Sequence, residues 1–264
     1  MNKGTVKGEI MRFFSAITAI CIGFASLGYS GDKEEASLWL IQEEFIKFGA
    51  KDAYENLQEG WMEGFAKTLA AGGMWRNKQN LWTIYGLQVQ QEPQYMYMIP
   101  LRDSCSLIDF FNKKNQYNQA LPSEQKSESQ SLFSLLNFSV NSLHLYLKDC
   151  SYPQTIREDV FEKKPFISYS VYGITPGYET VFEDAIRQLV ADAASSRSSA
   201  CWRVWRVLIG SDSPKYVIMA YGAASVDLEG AKKILKPLEG SVKDIIRNKK
   251  EGTGIFKPGI SLIP

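Results

Sequence analysis

The sequence predicts an α+β chain in which one β-α-β-β-α-β unit occurs twice and the two copies close into a single barrel. Three observations carry this. "ITPGYETVFED" (174–184) repeats "IKFGAKDAYEN" (46–56), with Ile46/Ile174, Gly49/Gly177, Tyr54/Phe182 and Glu55/Glu183 at matching places. The match continues downstream in the same order, at an offset of 128 that falls to 120 for Trp82/Trp202 and Tyr85/Trp205 and becomes 121 for Tyr95/Tyr216 and Met98/Met219. An offset that changes only in loops is what duplication with small loop deletions leaves behind. The 264 residues are 45% hydrophobic and 22% charged, enough for one large domain or two of about 110 to 130 residues.

Each element follows from its pattern. Residues 36 to 46 form an apolar, strand-like run, and Tyr54, Leu57, Trp61, Phe65 and Leu69 then fall on one helical stripe that Gly72 and Gly73 end. "LWTIYGLQVQ" (81–90) and "QYMYMIP" (94–100) read as a hairpin across a short polar turn, and a second helix starts near Asp103 or Ser104. The second half repeats the order with strands at 165–174, 201–210 and 215–221, a helix carrying Phe182, Ile186, Leu189 and Ala193, and a helix from about Ser225. Closing strands are available at 141–149 and, less clearly, at 252–263. This is the ferredoxin-like unit in tandem. The first repeat spans 31–149 with a polar insertion at about 112–138, which is either an exposed connection or, from 123, an amphipathic helix through Leu132, Leu135 and Leu136. A linker covers 150–164 and the second repeat 165–264.

Residues 1–30 are read as a signal peptide: Lys3, Lys7 and Arg12 precede an apolar run from Phe13 to Gly28, with small residues placed for cleavage after Gly28 or Ser30. The expected location is therefore periplasmic or secreted, with no membrane contact after cleavage. The alternatives are an uncleaved anchor or a start at Met11, and Ile20 before Cys21 disfavours a lipoprotein site. Export leaves Cys105, Cys150 and Cys201, an odd number that allows at most one intramolecular disulfide, and small buried thiols are the favoured reading.

Composition excludes several functions. Without residues 1–30 the charge is close to zero, there is no basic aromatic signature, phosphate loop or dinucleotide fingerprint, and nucleic acid is not an expected partner. His144 is the single histidine, so a histidine-based metal cluster is excluded.

"YGITPGYETVFEDAIRQL" followed by "WRVWRVLIGSDSPKYVIM" resembles the NIPSNAP-like and antibiotic-biosynthesis-monooxygenase-like members of the dimeric α+β-barrel superfamily over most of 36–110 and 165–235. The first half departs from that pattern in having Phe48 where the second has Pro176. The resemblance implies a barrel fold and a range of activities that includes cofactor-free oxygenation and haem handling.

Two sheets, each covered by helices on one face, can close over their bare faces and leave a cleft between them. Residues placed there as candidates are Trp82, Tyr85, Tyr97, His144, Tyr146, Trp202 and Trp205, with Glu43 and Glu44, of which alternation turns one inward. The expected function is binding of a small apolar or planar molecule by a monomer or weak dimer. One alternative is a cofactor-independent monooxygenase using Trp82, Trp202, Asn80 and Glu43 or Glu44; another is a haem protein with His144 as axial ligand. Core packing is the plainer reading of the aromatic residues, and the first-turn position of Glu55 and Glu183 is explained by the helix dipole.

Overall fold

The computed structural model describes residues 38–71, 84–89, 94–101, 104–154, 160–210 and 214–262. The signal-peptide region, Trp82 and Asn80 lie outside them, as does the side chain of Cys105. In chain order the elements are β1 (Leu38–Ile46), α1 (Lys51–Ala71), β2 (Tyr85–Val89), β3 (Gln94–Leu101), α2 (Ser104–Ala120), α3 (Ser123–Ser134) and β4 (Leu136–Tyr146). A short α4 (Val160–Lys163) precedes β5 (Phe166–Ile174), α5 (Glu179–Ser195), β6 (Trp202–Ile209), β7 (Lys215–Gly222), α6 (Ser225–Ser241) and β8 (Ile246–Phe256).

The eight strands close in the order β1-β3-β2-β8-β5-β7-β6-β4, every neighbour antiparallel. Each repeat contributes four strands in the same internal order, and the seams join strand two of one repeat to strand four of the other. The duplication extends to register: Phe45/Ile46 and Gly173/Ile174 carry the same irregularity against the last strand of their own repeat. Gly49 and Gly177 both take positive φ, 76° and 89°, in the turn that leads into the first helix, a conformation open to glycine at little cost.

Three apolar clusters follow from strand alternation. Outward residues of β1–β4 pack under α1, α2 and α3, those of β5–β8 under α5 and α6, and the inward residues of all eight strands fill the barrel. The turns after the last strands cross over: Cys150 packs in the second repeat's outer core, and Ile260 in the first's. Thus part of the expected linker belongs to the neighbouring core.

Some sequence boundaries move. The polar insertion at about 112–138 is the end of α2, the helix α3 and the first turn-out of β4, not an open loop. The closing strands begin earlier than their apolar stretches suggest, at Leu136 and Ile246: both open on partly exposed residues at one end of the barrel, mostly polar in β8 and mixed in β4, where Phe138 is exposed.

Candidate functional site

The barrel interior does not offer the expected open cleft, because it is filled by its own side chains. Tyr85, Trp205, Tyr146 and Trp39 point inward and touch, with Trp39 stacked near Tyr85 (6.2 Å between ring centres) and edge-on to Trp205 (5.8 Å). Met96, Met98 and Met219 complete the packing. Glu43 shares the inward face and raises the pKa of the Tyr169 phenol, after burial has done most of that.

His144 is inward as well, beside Trp39 on β1 and Val207 on β6. Its Nε2 lies 2.7 Å from the Ser142 hydroxyl, and its buried Nδ1 has no hydrogen-bond partner among the described residues. Burial lowers its pKa to about 3. A haem on this nitrogen would require Trp39, Tyr146 and Trp205 to vacate the barrel, so the residues present do not fit an axial-ligand site.

Three further candidates face outward, toward the helices. Trp202 is fully buried under α5 and α6 with its indole N–H donating to the Cys150 carbonyl at 3.0 Å. Tyr97 and Glu44 lie under the helices of the first repeat. Alternation puts neighbours on opposite faces but does not say which face a helix covers; Tyr95, Tyr97 and Ile99 supply the larger outward set and decide it.

There the structure gathers a polar group that sequence reading passed over. The buried Glu44 carboxylate accepts from the Tyr54 hydroxyl and the Gln42 amide. The Tyr97 hydroxyl stands 2.5 Å from that of Tyr54 and, since Tyr54 spends its hydrogen on Glu44, donates to it. Both phenols are held far above their ordinary pKa, by burial first; Tyr97 and Glu44 push Tyr54 up further, whereas at Tyr97 the charge of Glu44 adds to burial and the bond with Tyr54 works against it. A narrow crevice of about 30 Å³, open to solvent, runs past Glu44, Tyr97 and Gln58 to Lys114, whose ammonium sits 5.7 Å from the Trp61 ring centre. Burial lowers the Lys114 pKa, and the charge of Glu44 partly restores it. Trp61, Ile99 and Phe110 form apolar walls, and Leu132 and Phe133 of α3 close the side.

The second repeat isolates what is particular here. At the matching positions Tyr54 becomes Phe182, Gln58 becomes Ile186, Tyr97 becomes Ile218 and Glu44 becomes Tyr172. Phe182, Ile186 and Ile218 are fully buried core. The helix α3 that walls the crevice also lacks a counterpart, since α6 leads to β8 with only a single short turn between. The clue was available in the alignment of the halves: polar residues in one copy where the other has core. Among the described residues no group of three or more histidine, cysteine or acidic side chains could hold a metal, and Cys150 and Cys201 are free and buried.

No family model and no curated protein matches the chain. Solved structures do. An anthrone oxidase-like protein is similar over 86% of this chain and 94% of its own, with TM-score 0.56 and 12% identity. A candidate monooxygenase from Lactobacillus acidophilus NCFM covers 83% and 93% with TM-score 0.52 and 8% identity. Chlorite dismutase from Candidatus Nitrospira defluvii, in complex with imidazole, covers 85% and 93% with TM-score 0.51 and 8% identity. With the closed antiparallel barrel and its outer helices, these likenesses identify the architecture as the dimeric α+β-barrel fold, both halves of which lie in this one chain.

Proposed function

We propose that the protein binds a small planar molecule bearing an acidic or anionic oxygen, seated in the crevice of the first repeat and not between the sheets. The observation that carries this reading is the replacement of core residues by Tyr54, Gln58, Tyr97 and Glu44 in one repeat alone. Glu44, Tyr54 and Tyr97 satisfy one another and so stand beside the crevice without a stability cost, leaving Gln58 and Lys114 on its wall to meet a ligand. Trp61 and Phe110 would take its ring, and Lys114 and Gln58 its oxygen. Export, from the character of residues 1–30, is part of the proposal.

The test is titration with 2-naphthoate, followed by Trp fluorescence. Saturable quenching is expected, about tenfold weaker for Lys114→Met, the loss of one charge-assisted contact. It should also weaken as pH rises toward the depressed pKa of Lys114. Equal affinity in wild type, Lys114→Met and Gln58→Ile would sink the assignment.

A second reading is a cofactor-independent oxygenase, favoured by the hydrogen-bond chain Tyr97 to Tyr54 to Glu44. A carboxylate so oriented is a candidate base for an acidic C–H. Conversion of a methylene to a carbonyl by dioxygen, with water as the other product, takes all its electrons from the substrate. The likeness to an anthrone oxidase-like protein suggests anthrone as probe. Oxygen consumption without added metal or flavin, reduced about a hundredfold or more in Glu44→Gln, would support it, and no consumption would leave binding alone.

A further inference from the structure

Among the described residues, the barrel interior holds one aromatic side chain that no strand supplies. Phe161 stands on the four-residue helix α4, yet it is fully buried inside one end of the barrel. Its ring stacks on Tyr85 at 4.2 Å, meets Tyr221 edge-on at 5.3 Å and Phe256 at 5.9 Å, and has the Arg203 guanidinium 5.9 Å from its centre. Together these residues make a cage the size of one aromatic ring, with Phe161 inside.

The cage is not apolar throughout. The Tyr221 hydroxyl is buried, with the residue 2% exposed, and has no hydrogen-bond partner among the described residues. A phenyl ring cannot satisfy it, whereas a ring bearing a hydroxyl or carbonyl oxygen can. A buried hydroxyl without a partner is uncommon enough to need an explanation.

We propose that this end of the barrel is a second ligand site, separate from the crevice, for a phenol-sized aromatic molecule with one hydrogen-bonding oxygen. Phe161 is its built-in occupant and leaves when the ligand enters. The ligand replaces the ring contacts to Tyr85, Tyr221 and Phe256 and adds the bond that Tyr221 lacks. Displacement moves α4, because Val160 and Phe161 lie on no strand of the barrel.

The experiment uses the whole protein with p-cresol and toluene as probes, and reads trypsin cleavage at the Lys163–Lys164 bond by mass spectrometry. Cleavage there follows the population in which α4 is released. At p-cresol ten times its dissociation constant the rate should rise roughly tenfold at that bond alone, and toluene should act more weakly. Tyr221→Phe, which removes only the lone hydroxyl and should fold normally, should bring the two probes to the same response. Unchanged cleavage in the wild type, or a p-cresol advantage that survives in Tyr221→Phe, overturns the proposal. Loss of crevice binding in Lys114→Met would leave it untouched, since the two sites share no residue.

Discussion

Tyr216 donates a 2.8 Å hydrogen bond to the Glu183 carboxylate, and its counterpart Tyr95 donates at 2.6 Å to Glu55. Each bond ties the first helix of a repeat to its third strand. The sequence placed both glutamates in a first helical turn, but each is the fifth residue of its helix, just beyond the acidic first-turn residues Asp52 and Glu179; the dipole therefore favours them less, and the phenol supplies a tertiary latch. Around it the repeats agree further, with Tyr54 on Tyr95 at 4.6 Å and Phe182 on Tyr216 at 4.7 Å.

Tyr95→Phe and Tyr216→Phe should each lower unfolding free energy by about 1.5 kcal/mol, as for a bond to a charged partner. Glu55 keeps Lys257 and Glu183 keeps Arg187 and Arg206, so neither carboxylate is stranded. Because the pairs lie in separate repeats, the double variant should add the two losses within a few tenths of a kcal/mol. Urea denaturation measures all three, and strong non-additivity would argue against two independent latches.

Gln58→Ile installs the second repeat's residue at a crevice position. Its stability should be unchanged or slightly higher, since an amide that occupies a core position is replaced by an apolar side chain, while 2-naphthoate binding falls. Thermal unfolding beside the titration separates the effects; a destabilised variant with intact binding would mean that Gln58 serves the fold.

His144 should make the protein acid-sensitive before its carboxylates do. Its folded pKa is depressed from 6.5 to about 3 by burial, so the unfolded chain binds a proton that the folded chain refuses as pH drops below 6.5. Stability is whole above 6.5 and declines below it, by up to about 1.4 kcal/mol per pH unit. Urea midpoints at pH 6.5 and 5 should differ in wild type and converge in His144→Gln.

Gly254→Val strikes the β2–β8 seam, which rests on three paired positions, Leu87 with Phe256, Gln88 with Ile255 and Val89 with Gly254. A Cβ at 254 would come 2.6 Å from the Gln88 carbonyl oxygen, which is backbone and cannot turn aside. The expected cost is about 1 to 3 kcal/mol; a midpoint shift smaller than that of Gly230→Val, at an open helical position, would refute the close approach.

Expression with the N-terminal segment in place should yield a mature chain starting at Tyr29 or Gly31. Intact mass of the exported protein checks it, and a soluble product retaining Met1 or Met11 contradicts a cleaved signal.

The duplication, the order of the strands and the first helix of each half were legible in the sequence, since periodicity, turn glycines and matched spacing are local properties that survive divergence. Facing was not legible. Tyr97, Trp202 and Glu44 sit on strands where the sequence placed them, yet which side of a strand meets helices and which meets the opposite sheet depends on how the two halves close, a contact between residues far apart in the chain. For the same reason α3 could be read as a helix but not as the wall of a crevice, and Phe161 in a connecting segment gave no sign that it would fill the barrel. The sequence by itself determined two copies of one unit; only the tertiary structure decided that the space between their sheets is occupied and that the polar crevice lies outside, beneath the helices of the first copy. The physical reason is that alternation sets a relative phase along a strand, whereas burial of the larger apolar set against a distant surface sets the absolute one.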